Sequence, residues 1–441
     1  MNKLPQGWVT CSLASIGQIV TGKTPSTKEP QFYGGKIPFI KPSDLNHSGP
    51  IFHTENYLTE TGAAEVASLP PKSIVVTCIG NLGKVGITTT TSATNQQINA
   101  VIPENGVNPI FLFHYCKTLK QWLESESSAT TISIVNKGIF STAPVPLPPY
   151  AEQIHIAQKL DELLAQVNTL KARIDAIPTL LKRFRQSVLV AAISGRLTEE
   201  WRECGQSAPP HDWRQVTVGD LCKLKSGIAI SADYEKDFGD FKYFKVGEMN
   251  IEGNEFFLQH TDRYLSKGDA PEKSMMPSGS ILFPKRGGAI ATNKKRVLKD
   301  PSFVDLNIMG IIVPADVETM YIYHWFETID LAKLNTGSTI PQINNTDIAP
   351  LEIPLPPQAE QTEIVRRVEQ LLAFAEQLEA KVASAKSRID HLTQSILAKA
   401  FRGELVPQDP NDEPASVLLE RIKAQRAAAP KAKRAQKGVR V

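Results

Sequence analysis

Few stretches of this sequence have the residue types and spacing that catalysis needs. Gly17-Gln-Ile-Val-Thr-Gly-Lys-Thr24 fits the phosphate-loop pattern G-x-x-x-x-G-K-[ST]. Such a loop requires a buried strand before it and a helix directly after Lys-Thr, so that backbone N–H groups and the helix N-terminus meet the phosphate. Pro25 follows at once, and Pro30, Gly34, Gly35 and Pro38 forbid a helix of any length. Leu147-Pro-Pro-Tyr150 approaches the N/D-P-P-Y/F pattern of amino-methyltransferases but lacks the Asn or Asp that would hold the amine. Its second copy, Leu355-Pro-Pro-Gln358, lacks the aromatic as well. The histidines at 47, 53, 114, 155, 211, 260, 324 and 391 are isolated, and those at 114 and 324 lie in aromatic stretches, as packed histidines do. Cys11, Cys78, Cys116, Cys204 and Cys222 are scattered with no C-x-x-C, which suits reduced thiols in a cytoplasmic protein. With no nucleophile–base pair and no carboxylate cluster at metal spacing, neither a catalytic residue nor a metal ligand is expected.

What remains is recognition chemistry. Between Lys285 and Lys299 the chain carries Lys285, Arg286, Lys294, Lys295, Arg296 and Lys299 with no acid, around Gly287 and Gly288. Such a loop can reach phosphates or guanine edges, and its glycines permit close backbone approach. The matching stretch Gly80–Gly86 is milder, with Asn81 and Lys84. Asn95-Gln96-Gln97 and Gln342-Ile-Asn344-Asn345 add amides suited to adenine. Lys41 and Lys245 occupy the third place of two similar strand-like segments, Phe39–Leu45 and Tyr243–Met249. The candidate DNA-contacting set is therefore Lys41, Asn81, Lys84, Gln96, Gln97, Lys245, Lys285, Arg286, Lys294, Lys295, Arg296, Asn344 and Asn345.

The elements that must position these residues are set out by a repeat. Pro146-Leu-Pro-Pro-Tyr-Ala-Glu-Gln153 recurs as Pro354-Leu-Pro-Pro-Gln-Ala-Glu-Gln361, and at the same offset Ser187–Gly195 falls on Ser395–Gly403. Between Pro pair and Gly, apolar residues step 4, 3, 4, 3, the period of a supercoiled helix seam. The first seam is Ile156, Leu160, Leu163, Val167, Leu170, Ile174, Leu181 and Phe184; the second is Ile364, Val368, Leu371, Leu378, Val382, Ile389, Leu392 and Ile396. Proline suits a helix start and glycine a helix end, so two long helices are expected. The nearest partner for each is the other, packed antiparallel; the alternative is a second molecule. Pro178 is expected to kink the first helix.

The blocks before each helix resemble one another weakly. Trp8 is followed by Leu13, Ile16, Ile19 and Gly22, and Trp213 by Val218, Leu221, Leu224 and Gly227, a short amphipathic stretch ending at Gly in each. Strands are expected at Ser73–Thr77, Ser280–Pro284, Asn99–Pro103 and Gly310–Pro314, and aromatic helices at Phe111–Tyr115 and Tyr321–Trp325. The fold class is α+β, internally duplicated: two mixed modules, 1–149 and 204–357, separated by a pair of long antiparallel coiled-coil helices, 150–203 and 358–410, with a basic, flexible tail, 411–441. Ser416 to Gln425 can form one more short helix. Residues 417–441 hold eight Lys or Arg and one Glu, so against a whole-chain charge of +3 the rest sums to −4. Nucleic-acid contact must then be local. No run of ~18 apolar residues exists to span a membrane, and Met1–Trp8 has no secretory leader's apolar core.

With Leu4-Pro-x-Gly-Trp8, Gly22-Lys-Thr-Pro-Ser26, the duplicated Pro-Leu-Pro-Pro-x-Ala-Glu-Gln, Leu181-Lys-Arg-Phe-Arg-Gln-Ser187 and Ser194-Gly-Arg-Leu-Thr198, nearly the whole chain resembles the DNA-specificity subunit of Type I restriction-modification systems. The resemblance implies two target-recognition domains joined by helices, and a subunit that catalyses nothing alone. It implies double-stranded DNA, two methyltransferase (modification) subunits and restriction/translocase subunits as partners, in the cytoplasm, for defence against foreign DNA. No cofactor is expected on this chain; S-adenosylmethionine, ATP and Mg²⁺ are expected on the partners. Two unlike modules imply a bipartite, asymmetric target, one half-site each. The alternatives are a nucleotide-dependent enzyme using Gly17–Thr24 through Lys23, and a coiled-coil scaffold without DNA contact.

Overall fold

The computed structural model describes residues 4–127, 132–204, 213–334 and 340–428. The first module runs β1 (Val9–Ser12), α1 (Leu13–Ile16), β2 (Gly17–Thr21), β3 (Tyr33–Ile40), β4 (Pro50–Ile51), β5 (Tyr57–Leu58), α2 (Glu60–Ala64), β6 (Ile74–Thr77), β7 (Val85–Thr88), β8 (Ala93–Thr94), β9 (Ile98–Pro103), α3 (Pro109–Cys116), α4 (Lys120–Ser125), α5 (Lys137–Ser141) and β10 (Pro144–Leu147). The long helix α6 (Tyr150–Ile193) and the short α7 (Glu199–Glu203) follow. The second module runs β11 (Arg214–Thr217), α8 (Val218–Leu221), β12 (Lys223–Ser226), β13 (Phe241–Phe244), β14 (Phe257–Leu258), β15 (Tyr264–Leu265), β16 (Ile281–Pro284), β17 (Arg296–Leu298), β18 (Phe303–Val304), β19 (Ile308–Ile312), α9 (Thr319–Glu327), α10 (Asn345–Ile348) and β20 (Glu352–Leu355). The second long helix, α11 (Gln358–Phe401), and a last helix, α12 (Ala415–Ala428), complete the chain.

The two modules repeat strand for strand. Five-stranded sheets have the orders β2-β9-β6-β7-β4 and β12-β19-β16-β17-β14; three-stranded sheets β5-β3-β8 and β15-β13-β18; ribbons β1-β10 and β11-β20. The central strands are unbroken buried runs, such as Ile74-Val-Val-Thr77 and Ile281-Leu-Phe-Pro284, as expected of strands covered on both faces. The expected strands are β6, β16, β9 and β19, and the aromatic helices are α3 and α9. The opening amphipathic stretch is divided: one helical turn, α1 or α8, bears Leu13 and Ile16 or Val218 and Leu221, and then a strand continues to the glycine. Both glycines are sterically required. A Cβ on Gly22 would lie 2.1 Å from the Asn95 carbonyl oxygen, and one on Gly227 2.1 Å from that of Asp305.

The chain forms two compact units, 1–174 with 384–441, and 175–383. Compactness therefore cuts it differently from the five expected segments, because each module's core continues onto helix ends. In the first unit Ile156, Leu160 and Val167 of α6 share a core with Ile389, Ile396, Leu397 and Phe401 of α11, and Lys171 pairs with Asp390 at 2.9 Å. In the second, Val188 and Ala192 share a core with Ile364, Val365 and Val368. There Arg185 pairs with Glu379, and Arg367 donates to the Leu197 carbonyl at 2.8 Å. Within each unit the segments are antiparallel, and the pairing is between the two copies in one chain. Leu170 and Leu392 are corrections to the seam: they are 47% and 45% exposed, since in their stretch polar pairs such as Lys171–Asp390 bridge the helices instead. Helix α6 runs continuously through Pro178. It ends before Gly195 and α11 before Gly403, at φ +74° and +73°, as a left-handed cap requires.

The expected flexible tail starts too early. Helix α12 buries Ala415, Leu418, Leu419 and Ile422 in the first unit's core, and Arg426 pairs with Glu104 at 2.8 Å. An apolar face and an ion pair thus hold residues that charge alone marked as tail. Residues 429–441 lie outside the described residues. No helix among the described residues is long and apolar enough to cross a membrane.

The duplicated octapeptide is what docks helix to module. Gln153 accepts from the Asn108 N–H at 2.8 Å, at the start of α3, and donates to the Pro148 carbonyl at 3.0 Å. Gln361 repeats this with Glu318 N–H at 2.9 Å and the Pro356 carbonyl at 2.8 Å. Both amides are buried, so truncation orphans a backbone N–H and a carbonyl. Gln153→Ala and Gln361→Ala are each expected to cost about 1–3 kcal/mol in denaturant unfolding. A loss below ~0.5 kcal/mol for either would show that the motif does not hold the module.

Candidate nucleic-acid interface

Sheet topology gathers the recognition candidates at one end of each module. In the first, Thr21 is paired with Asn99, Thr77 with Ile98 and Val76 with Val85, all antiparallel. The exits of β2 and β6 and the entrances of β9 and β7 therefore share one end of the sheet. The loops there are Gly22–Thr24, Asn95–Gln97 and Cys78–Lys84, joined by Ser133–Val135 through Gly80 N–H to the Ser133 carbonyl (2.9 Å) and Val135 N–H to the Cys78 carbonyl (2.8 Å). The second module repeats the arrangement. Gly287 N–H donates to the Pro341 carbonyl (2.7 Å), and Ile343 N–H to that of Lys285 (2.8 Å). Lys41 and Lys245 directly follow β3 and β13 beside these rims, since Asn95 N–H donates to the Ile40 carbonyl and Asp305 N–H to that of Phe244. Each ammonium lies over the aromatic two residues back, 5.7 Å from the Phe39 centroid and 5.8 Å from that of Tyr243.

The opposite end of the first module's sheet is closed by α12, through Arg426 to Glu104 and to the Ala14 carbonyl. In this module the rim is thus the end left for a ligand. Its first-module polar groups have neutral partners: Lys84 Nζ donates to Asn46 Oδ1 at 2.5 Å, and Thr24 Oγ1 to Gln96 Oε1 at 2.6 Å. Gln97 accepts from Asn95 at 2.9 Å, and exposed Asn81 uses only its carbonyl, toward Thr77. In the second module Lys285 donates to Ser226 Oγ at 2.9 Å, Arg286 to Gln342 Oε1 at 3.3 Å, and Lys294 to Asn250. Burial, then the neighbouring Arg286, lowers the Lys285 pKa. These cations keep uncompensated charge for a polyanion.

Five candidates have other work. Lys295 is 1% exposed and donates to the Ile329 carbonyl at 2.7 Å and Asn293 Oδ1 at 3.1 Å; burial pulls its pKa down to about 8, against Glu327 and Asp330. It lies just before β17 and faces the core, its ammonium 5.1 Å from the Phe326 ring centroid. Arg296 donates to the carbonyls of Lys295 (2.8 Å) and Met249 (3.1 Å), tying strand to loop. Lys245 pairs with Glu235. Asn344 caps α10, its N–H on Asp347 at 2.7 Å, with Asn345 the first helical residue. The residue that meets Arg286 is Gln342, one of the amides of 342–345 but not carried into the candidate set; the matching bridges Arg286–Gln342 and Ile79–Ile134 place it at the rim. The phosphate-loop pattern dissolves: Gly17–Thr21 is strand β2 and no helix follows Thr24, while Lys23 Nζ reaches the Glu65 carbonyl at 3.3 Å.

The family model of the Type I restriction modification DNA specificity domain matches twice, at residues 5–179 and 210–384. This chain belongs to that family. It is 29% identical to the Type I restriction enzyme EcoKI specificity subunit of Escherichia coli K12, over 97% of both chains. It is 31% identical to the StySPI specificity subunit of Salmonella potsdam, over 96% of both. In fold it is similar to a chain from a type I R-M system solved to explain complex assembly and conformational transition, with TM-score 0.66, 20% identity, and coverage of 92% of this chain and 100% of that one. The HsdS subunit from Thermoanaerobacter tengcongensis gives TM-score 0.62 at 19% identity, covering 91% and 98%. Each family match takes in one module and the first part of the helix after it.

The two classes of candidate, exposed rim cations and side chains with structural partners, separate experimentally. Arg286→Ala and Lys294→Ala should leave stability within about 0.5 kcal/mol. Arg296→Ala, which orphans two carbonyls, should cost about 1–3 kcal/mol. Equal denaturation midpoints for all three would erase the distinction.

Proposed function

We propose that this chain reads a bipartite, asymmetric DNA sequence for a Type I restriction-modification complex, one half-site at the rim of each module. The observation that carries this is the duplication of the rim with different chemistry on it. Strand order, bridging loops and the required Gly22/Gly227 recur, while the first rim presents Asn81, Lys84, Gln96 and Gln97 and the second Lys285, Arg286, Lys294 and Gln342. Like scaffolds with unlike donors and acceptors read unlike base edges. Arg286 beside Gln342 suits a guanine edge or a phosphate; the amides of the first rim suit adenine.

The chain is the non-catalytic member of its complex. The long helices offer partner surfaces for two methyltransferase subunits, one per repeat, and for the restriction/translocase subunits. S-adenosylmethionine, ATP and Mg²⁺ act on those partners, in the cytoplasm. Two tethered readers gain affinity by effective concentration, so neither rim needs to bind tightly alone.

The test exchanges the second module, residues 213–357, for that of another family member and maps methylation genome-wide. One half of the methylated motif should change and the other stay. A change in both halves, or in neither, refutes one-rim-one-half-site reading.

A further inference from the structure

The two copies of the helix-start motif bury the same glutamate in different company. In the second unit Glu360 is fully buried and surrounded by donors: Trp213 Nε1 at 3.2 Å, Thr198 Oγ1 at 2.7 Å, and the Arg202 guanidinium, which also donates to the Gly195 carbonyl. The guanidinium lies over the Trp213 ring, 5.9 Å from its centroid. A buried carboxylate is thus met by a cation of matching geometry.

In the first unit Glu152 is 2% exposed and accepts from Trp8 Nε1 at 2.8 Å. The position of the arginine is taken by Gln408. Its Nε2 donates to the Gly403 carbonyl at 2.7 Å, as Arg202 does to Gly195, and its amide lies beside the carboxyl. No cation is hydrogen-bonded to the carboxyl among the described residues, His155 acting only at longer range, and Glu152 Oε1 is buried without a hydrogen-bond partner. Burial raises the Glu152 pKa, partly offset by Trp8 and Gln408, with Asp412 raising it further and His155 lowering it weakly. Glu152 lines the floor of a cavity of about 240 Å³ together with Gln408, Asp409 and Asp412. The arginines nearby in sequence are engaged elsewhere: Arg402 with Glu404, Arg421 with Glu413 and Arg426 with Glu104.

We propose that this cavity is a socket for an arginine side chain of a subunit that assembles with this chain, its guanidinium standing to Glu152 as Arg202 stands to Glu360. The occupant is protein and not DNA, because three carboxylates repel phosphate. It is arginine before lysine, because the planar fork can serve a carboxylate and a flanking carbonyl or amide together. Only the source of the arginine rests on the proposed role within a larger complex; the socket itself does not.

The test has two arms on the full-length chain. Methylguanidinium chloride, with methylammonium chloride at matched ionic strength as control, is titrated while the Trp8 indole N–H is followed by NMR, assigned with Trp8→Phe. Methylguanidinium should move that resonance in wild type and not in Glu152→Gln, nor in Gln408→Arg, where the chain supplies its own guanidinium. No movement in wild type, or equal movement in the variants, overturns the socket. In the second arm both variants should lose roughly tenfold or more in affinity for the methyltransferase subunit, the scale of one charge-assisted hydrogen bond, with the methylated motif unchanged. Unchanged affinity in both overturns arginine docking even if the small cation binds. Failure of the wild-type complex to bind DNA would instead refute the proposed function and leave the first arm standing.

Discussion

The interaction on which each unit depends is a buried carboxylate on the first turn of a long helix, holding the indole N–H of a tryptophan that opens the module. Glu152–Trp8 and Glu360–Trp213 fasten the module's first strand to the helix that follows its last one. The adjacent glutamines hold the amino-terminal ends of α3 and α9 from the same turn. Two neighbouring side chains thus fix both the opening ribbon and the aromatic helix relative to the long helix. An ionised carboxylate is costly to bury unless its lone pairs are used, so the geometry around it is tightly determined. That is why eight residues recur almost unchanged where the modules around them diverge.

The long helices were legible because their signals are local: a 4-3 apolar step, prolines before and a glycine after. The central strands were legible as buried β-branched runs. Where the reading failed, a non-local fact decided. Lys294, Lys295 and Arg296 look alike in sequence, yet one reaches Asn250, one lies in the core and one ties down Met249. Their partners separate them, and those partners lie far away in sequence, at Asn250, Ile329 and Met249. Leu170 and Leu392 keep the seam's period but not its burial, because burial depends on what stands across from them. Helix α12 was half legible: a helix at Ser416–Gln425 was expected and the helix runs longer, Ala415–Ala428, while its apolar contacts lie on residues some three hundred positions earlier, such as Gly106.

The candidate rims were legible as a set more than as individuals. Pairing in the five-stranded sheets brings the exits of β2 and β6 and the entrance of β9 together, and Gly22 and Gly227 mark the closest backbone approach in each rim. Backbone contact at these glycines fixes the loops without spending a side chain. The exposed side chains around them are then free of structural duty: Asn81 has none beyond its carbonyl, and Arg286 has one amide partner.

That division explains how one chain can hold two copies of a fold and still present two chemistries. Buried groups answer to each other, and a change in one must be matched by another. Rim groups such as Asn81 and Arg286 have few partners within the chain and are free to differ. The contrast between Glu152 and Glu360 is the informative intermediate case. The carboxylate, the tryptophan and the glycine carbonyl are kept in both copies, yet the compensating cation is internal in only one. A buried position this constrained would ordinarily lose its charge together with its partner. Its retention beside Gln408, Asp409 and Asp412 means either that the carboxyl is held neutral at a standing cost in desolvation, or that its partner arrives from outside. A neutral Glu152 only relieves its repulsion with Asp412, whereas an incoming guanidinium would stabilise all three carboxylates around the cavity at once.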